Sequence, residues 1–148
     1  MKYLLPILSI LFFIACSKTT PIPPKKIIQS HYVNKSFLQH IDFHGQEIIS
    51  IKMKNRFYYL RQNGKIMETL TFDGKADEFI DGLARTRVNG KIGFFNRNLE
   101  MVLKPVYDFA FPFHNGIAEI CMGCKEDSGE LLDGGKWEKI NREGLVIQ

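Results

Sequence analysis

A repeat of about 34 residues limits this chain to a narrow set of architectures. Asp81-Gly82-Leu83-Ala84 returns as Asn115-Gly116-Ile117-Ala118, 34 positions later. The lead-ins match as well, 74–80 against 108–114, so Phe79 and Phe113 occupy one slot. A fixed period of this length belongs to units that cannot bury their apolar face alone and must stack on their neighbours.

Within the period the pattern is that of strands. In the middle unit Ala84, Thr86 and Val88 face one way and Arg85 and Arg87 the other, the alternation of a β-strand. Asn89-Gly90 follows, a two-residue turn whose residues both tolerate positive φ. Residues 91–96 return, Arg97-Asn98 turns, and 99–103 form a third strand. Pro105 should stop that strand, because proline cannot donate to a ladder. The same order precedes it: 49–53, a turn at Lys54-Asn55, 56–60, a turn at Asn63-Gly64, then 65–72. It also follows: 118–121, a longer loop to Gly134-Gly135, 136–141, a turn at Glu143-Gly144, then 145–147. Phe57, Ile92 and Trp137 share one slot at spacings of 35 and 45, so the last unit carries an insertion over 122–133.

The expected fold is all-β: antiparallel hairpins and three-stranded units over about 47–81, 82–115 and 116–148, stacked into one curved sheet or a solenoid-like array. Phe57, Phe79, Ile92, Phe95, Phe113 and Trp137 are the core candidates. Residues 27–46 fit no unit and form an irregular N-terminal cap. That cap is either one helical turn begun by Asn34 or Ser36, or an irregular strand over the first sheet edge.

Lys91-Ile92-Gly93-Phe94-Phe95-Asn96, then Lys104-Pro105-Val106-Tyr107-Asp108, then Phe113-His114-Asn115-Gly116-Ile117-Ala118 resembles a unit of the WG (Trp-Gly) repeat family. Units of that family read approximately Gly-Lys-Trp-Gly-Tyr-Ile-Asp, a turn, an apolar strand, Pro-x-Tyr-Asp and Phe-x-x-Gly-Leu-Ala. The resemblance extends over 47–148, strongest in the middle unit and weakest in the first. Ile92 replaces the tryptophan of one Trp-Gly pair and Glu138 the glycine of another. The family has no common catalytic site or cofactor, so the resemblance implies architecture and no enzyme.

The N-terminus carries a different message. Lys2, an apolar run from Tyr3 to Ala15 and the small Ala15 before Cys16 read as a secretion signal over 1–15. The run is too short to span a bilayer, which takes about 20 apolar residues. A cysteine at the break resembles the lipobox of bacterial lipoproteins, which implies a lipid on Cys16 as first mature residue. Phe13 stands where that family usually has leucine. Residues 16–26, rich in proline, lysine and threonine, are then an extended tether. Ser17 is not the aspartate that retains such proteins at the inner membrane, which in a Gram-negative host implies the outer membrane, facing the periplasm. The expected partners are the membrane, through the lipid, and an unidentified envelope protein. The net charge of +4 comes without a dense basic block, which argues against nucleic acid.

Cys121-Met122-Gly123-Cys124 is the sharpest chemical motif. A two-residue spacer suits a small disulfide, the favoured reading, or two thiols that pin the inserted loop. A metal site would need His114 and a carboxylate such as Glu126 or Asp127 as well, since about four ligands are required. A redox dithiol would want a helix N-terminus, where this pair sits at a strand end. His31, His40, His44 and His114 form no metal-binding spacing, and Glu126, Asp127 and Glu130 read as a solvated loop. No catalytic residue, metal or cofactor is expected. The function expected is a non-enzymatic binding or scaffolding lipoprotein of the cell envelope. A periplasmic immunity or inhibitor lipoprotein is the alternative, followed by a redox or metal-binding factor.

Overall fold

Two turn geometries, repeated along the chain, cut the described residues into three larger antiparallel sheets and one two-stranded hairpin. The computed structural model describes residues 31–125 and 134–147. The first sheet holds β1 (His31–Tyr32), β2 (Ile48–Met53), β3 (Arg56–Arg61) and β4 (Lys65–Thr69), in the order β1-β4-β3-β2. A helical turn, α1 (Lys35–Leu38), lies between β1 and β2. A small hairpin of β5 (Thr71–Phe72) and β6 (Lys75–Ala76) leads to the second sheet: β7 (Leu83–Val88), β8 (Lys91–Asn96) and β9 (Met101–Tyr107). The third sheet is β10 (Phe109–Ala110), β11 (Ile117–Met122), β12 (Lys136–Asn141) and β13 (Val146–Ile147), in that order. The described residues are nearly all β, with 56% strand and 4% helix, and among them no barrel closes.

The first hairpin of a unit closes on two left-handed residues, Lys54-Asn55 and Asn89-Gly90. The second closes on three residues and ends left-handed, at Gly64, Leu99 and Gly144. The N–H groups of these three donate at 2.9 Å to Arg61 O, Asn96 O and Asn141 O. Asn63-Gly64 is therefore the end of a three-residue loop and not a two-residue turn. Asn96 Oδ1 accepts from the N–H of Asn98 and Glu100, and Asn141 Oδ1 from those of Glu143 and Leu145. Between units, Asp81-Gly82 and Asn115-Gly116 turn with matching positive φ values.

Equivalent turns sit on one another. Gly116 N–H donates to Asp81 Oδ2 at 2.8 Å, joining the two inter-unit turns. Arg61 and Lys65 reach from the loop of the first sheet to Arg97 O (2.7 Å) and Asn98 O (2.9 Å) in the same loop of the second. The units thus form an array of separate sheets, not one continuous curved sheet.

Strands β7 and β8 of the second sheet are buried on both faces, while β9 leaves Val102, Lys104 and Val106 exposed. Ala84, Phe95 and Leu99 pack with Met67, Tyr59 and Phe79 toward the first sheet. Leu83, Ile92, Phe94 and Leu103 pack with Ala118, Ile120 and Ile140 toward the third. The slots repeat in space: the Tyr59–Phe79 ring pair at 4.5 Å returns as Phe94–Phe113 at 4.8 Å. Leu60, on the opposite face of the first sheet from Tyr59, is fully buried, and Leu38 and Val33 of the N-terminal segment lie against neighbouring Gly64. That segment combines both local readings. Its β1 pairs with the free edge of β4, and Asn34 Oδ1 accepts from Phe37 N–H to begin α1.

Three expectations need correction. Trp137 is not core; it is 43% exposed, because no described sheet covers the third sheet's outer face. Phe57 is half-buried beneath Lys52 Nζ. The strand of Met101–Tyr107 runs through Pro105, which sits at a register shift opposite Gly93. A Cβ on Gly93 would lie 2.6 Å from Leu103 O and 2.7 Å from Pro105 N. The missing side chain lets the proline-bearing strand press in where no ladder bond is needed.

Arg85 is the fourth surprise. Alternation placed it outward, yet it is only 5% exposed, and Asp77 3%. Its Nε and NH2 donate to both oxygens of Asp77, and its own backbone N–H donates to Asp77 Oδ2 at 2.8 Å. NH1 donates to Ala110 O in the third sheet at 2.8 Å. Arg85 O accepts from Thr69 Oγ1, and Tyr59 Oη donates to Asp77 O, both groups of the first sheet. With each guanidinium nitrogen and both carboxylate oxygens bonded, the pair is satisfied; with one partner removed, a buried charge is stranded.

Arg85→Ala should therefore destabilise by about 3–5 kcal/mol in denaturant melts, far more than an exposed arginine would. Gly93→Ala should cost about 1–3 kcal/mol by overpacking against backbone. Tyr59 gives a pH signature. Burial first, then the Asp77 carboxylate, raises its hydroxyl above the ordinary value of 10.0. A raised folded value leaves stability intact below pH 10 and loses it as pH rises above. Tyr59→Phe should reduce that alkaline loss in melts taken across pH 9–11.

Candidate interaction surface

The outer face of the third sheet carries a cluster of aromatic residues, of which Phe111 and Trp137 are exposed. β10, β11 and β12 pair so that Phe109, Cys121 and Trp137 stand in one row. Phe109 meets Phe111 at 5.1 Å and Trp137 at 6.0 Å between centroids, and Phe111 meets Trp137 at 6.0 Å. Phe111 is 47% exposed and Ile117, further along β11, is 38% exposed. Glu119 and Lys139 are register partners on this face, 3.6 Å apart and half-exposed. A shallow depression beside Trp137 is lined by Glu119, Glu138 and Lys139.

Slot equivalence explains why these side chains are free. Trp137 stands where Ile92 stands in the second sheet, and Ile117 where Leu83 stands; both counterparts are buried by the next sheet. Lys139 replaces Phe94, and Glu119 replaces Arg85. Apolar residues, Trp137 and Ile117, remain where stacking would bury them, and charges replace the two residues at the centre.

The rim of this face is braced. Cys121 and Cys124 are joined by a disulfide, with Cα atoms 6.0 Å apart. Gly135 packs so closely on it that a Cβ would meet Cys121 Sγ at 2.6 Å and Cys124 Sγ at 2.7 Å. Asp108 accepts from Lys91 Nζ of the second sheet and from Gly123 N–H at 2.6 Å. The Lys91 bond, then the Gly123 bond, hold its carboxyl below the usual carboxylate range. Sequence patterning missed the bracing role of Asp108, because its partners come from different sheets. The spacing of Lys91 and Asp108 within a single repeat was the available signal.

Other candidate residues are scattered. His114 is exposed and, among the described residues, bonds through its backbone to Ile117 alone. His31, His40 and His44 are exposed on the N-terminal segment. Among the described residues no three of His, Cys, Asp and Glu gather as metal ligands. No described helix is long and apolar enough to cross a membrane. Cys16, the signal, the tether, Glu126, Asp127 and Glu130 lie outside the described residues.

The fold is that of a β-repeat protein. Residues 92–125 match the family described as WG containing repeat. That match begins at Ile92, in the Trp-Gly slot, and ends just past β11, so one sequence repeat supplies β8 and β9 to one sheet and β10 and β11 to the next. No curated protein and no solved structure matches the chain.

The disulfide closes a very short loop, so its entropic contribution is small, about 2 kcal/mol or less. Replacing both cysteines by serine should lower stability by no more than that. A thiol titration of folded protein should find Cys121 and Cys124 reactive only after reduction.

Proposed function

We propose that the protein is a lipid-anchored, non-enzymatic binding module of the bacterial cell envelope that contacts a protein through the outer face of its third sheet. The observation that carries this is the Phe109–Phe111–Trp137 cluster on a braced sheet, with Phe111 and Trp137 exposed and Phe109 half-buried. Aromatic residues held rigidly in water lose little entropy on docking and dominate contact energies where they cluster. The anchor rests on Cys16 after Ala15, followed by a tether long enough to hold the domain off the bilayer. Ser17 favours the outer membrane.

Cells fed labelled palmitate should incorporate it into the wild-type chain and not into Cys16→Ala, which should leave the membrane fraction. Label retained in that variant would remove the anchor from the proposal. Trp137→Ala, made in the anchored protein, should weaken crosslinking to its envelope contact by about tenfold while leaving thermal unfolding nearly unchanged.

A further inference from the structure

We infer that the occupant of this face is a second copy of the same chain, related by a two-fold axis that runs along the strands between β11 and β12. The inference rests on the contact surface proposed above and names what covers it. Strand register supplies the geometry. Glu119 and Lys139 are directly opposed on β11 and β12. An axis along the strands and midway between them exchanges the two positions when sheets pack face to face. Glu119 of each copy then lies over Lys139 of the other, giving two ion pairs across the interface. The same operation brings Trp137 of each copy to the level of Cys121 on the other, because those residues are also register partners. Ile117 comes over Asn141 in the same way. An isologous interface requires a face complementary to itself, and a face with one acid and one base at a single register pair meets that requirement.

The slots point the same way. Ile117 and Trp137 keep apolar character where the second sheet uses Leu83 and Ile92 to hold another sheet of this fold. Head-to-tail growth would need the opposite face of the first sheet, but there Leu60 is fully buried and the N-terminal segment lies alongside. Association through the third sheet therefore closes at two copies.

The test is photo-crosslinking of the full chain in its native envelope, with the photoreactive residue at position 117. A product of two copies of this chain is expected. Glu119→Lys alone and Lys139→Glu alone should each cut that product by about tenfold or more, since each places like charges in register. The double exchange should restore it. These positions are half-exposed, and their pair within one copy contributes little, so unchanged melting temperatures should accompany the losses. A product with a different protein would overturn the two-copy inference and leave the contact surface standing. The absence of any product would overturn both. Single exchanges without effect would overturn the axis.

Discussion

The Asp77–Arg85 pair is the joint on which the stack turns. Asp77 lies between the first and second sheets, Arg85 in the second, and the guanidinium ends on Ala110 O of the third. Three sheets that share only apolar contacts could slide along one another, because hydrophobic packing has no direction. A bidentate arginine has one, and its fork fits a carboxylate in a single plane. The pair adds little net stability over an apolar substitute of similar shape, since desolvation offsets much of its attraction. What it supplies is a unique register between units, reinforced at the rim by Asp81 to Gly116 and by Asp108 to Lys91 and Gly123.

Much of this was legible from residue order alone. The period of 34, the Asn-Gly and Asp-Gly junctions and the alternating strands report short-range geometry, and short-range geometry is what sequence encodes most directly. Phe95, Phe113 and Ile92 fell in the core as repeat-equivalent residues should. The misreadings of Arg85 and Trp137 have one origin. Arg85 looked solvated because alternation assumes that one face of a strand meets water, and β7 has no wet face from Leu83 to Thr86. Trp137 looked buried because its slot is buried in the preceding unit. In a stack, exposure depends on a unit's place in the order, and a slot pattern is silent on that.

Pro105 shows the same dependence at smaller scale. A proline is a poor strand residue until its partner strand makes room for it. Gly93 makes that room, and the two residues are twelve positions apart. The Ile92-Gly93 pair therefore divides its work between two neighbours. The bulky residue fills the interface with the next sheet, and the glycine admits the proline strand beside it. In the third sheet Glu138 replaces that glycine, and β13, the strand beside it, carries Val146 and Ile147 with no proline. Gly and Pro come and go together because one is the space for the other.

The change in residues across equivalent slots also tells where stacking changes character. Tyr59 and Phe94 each meet a phenylalanine from the next connection, Phe79 and Phe113, and each pair is covered by another sheet. The third residue of that series is Lys139, and the third of the Arg85 series is Glu119. Two opposite charges at half-exposed positions satisfy each other and water, so continued burial beneath a further apolar sheet would strand them. The aromatic cluster beside them has the opposite preference, because its exposed rings gain by leaving water. A surface that combines both wants a cover that is apolar at the rim of the sheet and charged at its centre, with each charge reversed, and the third sheet itself has that composition.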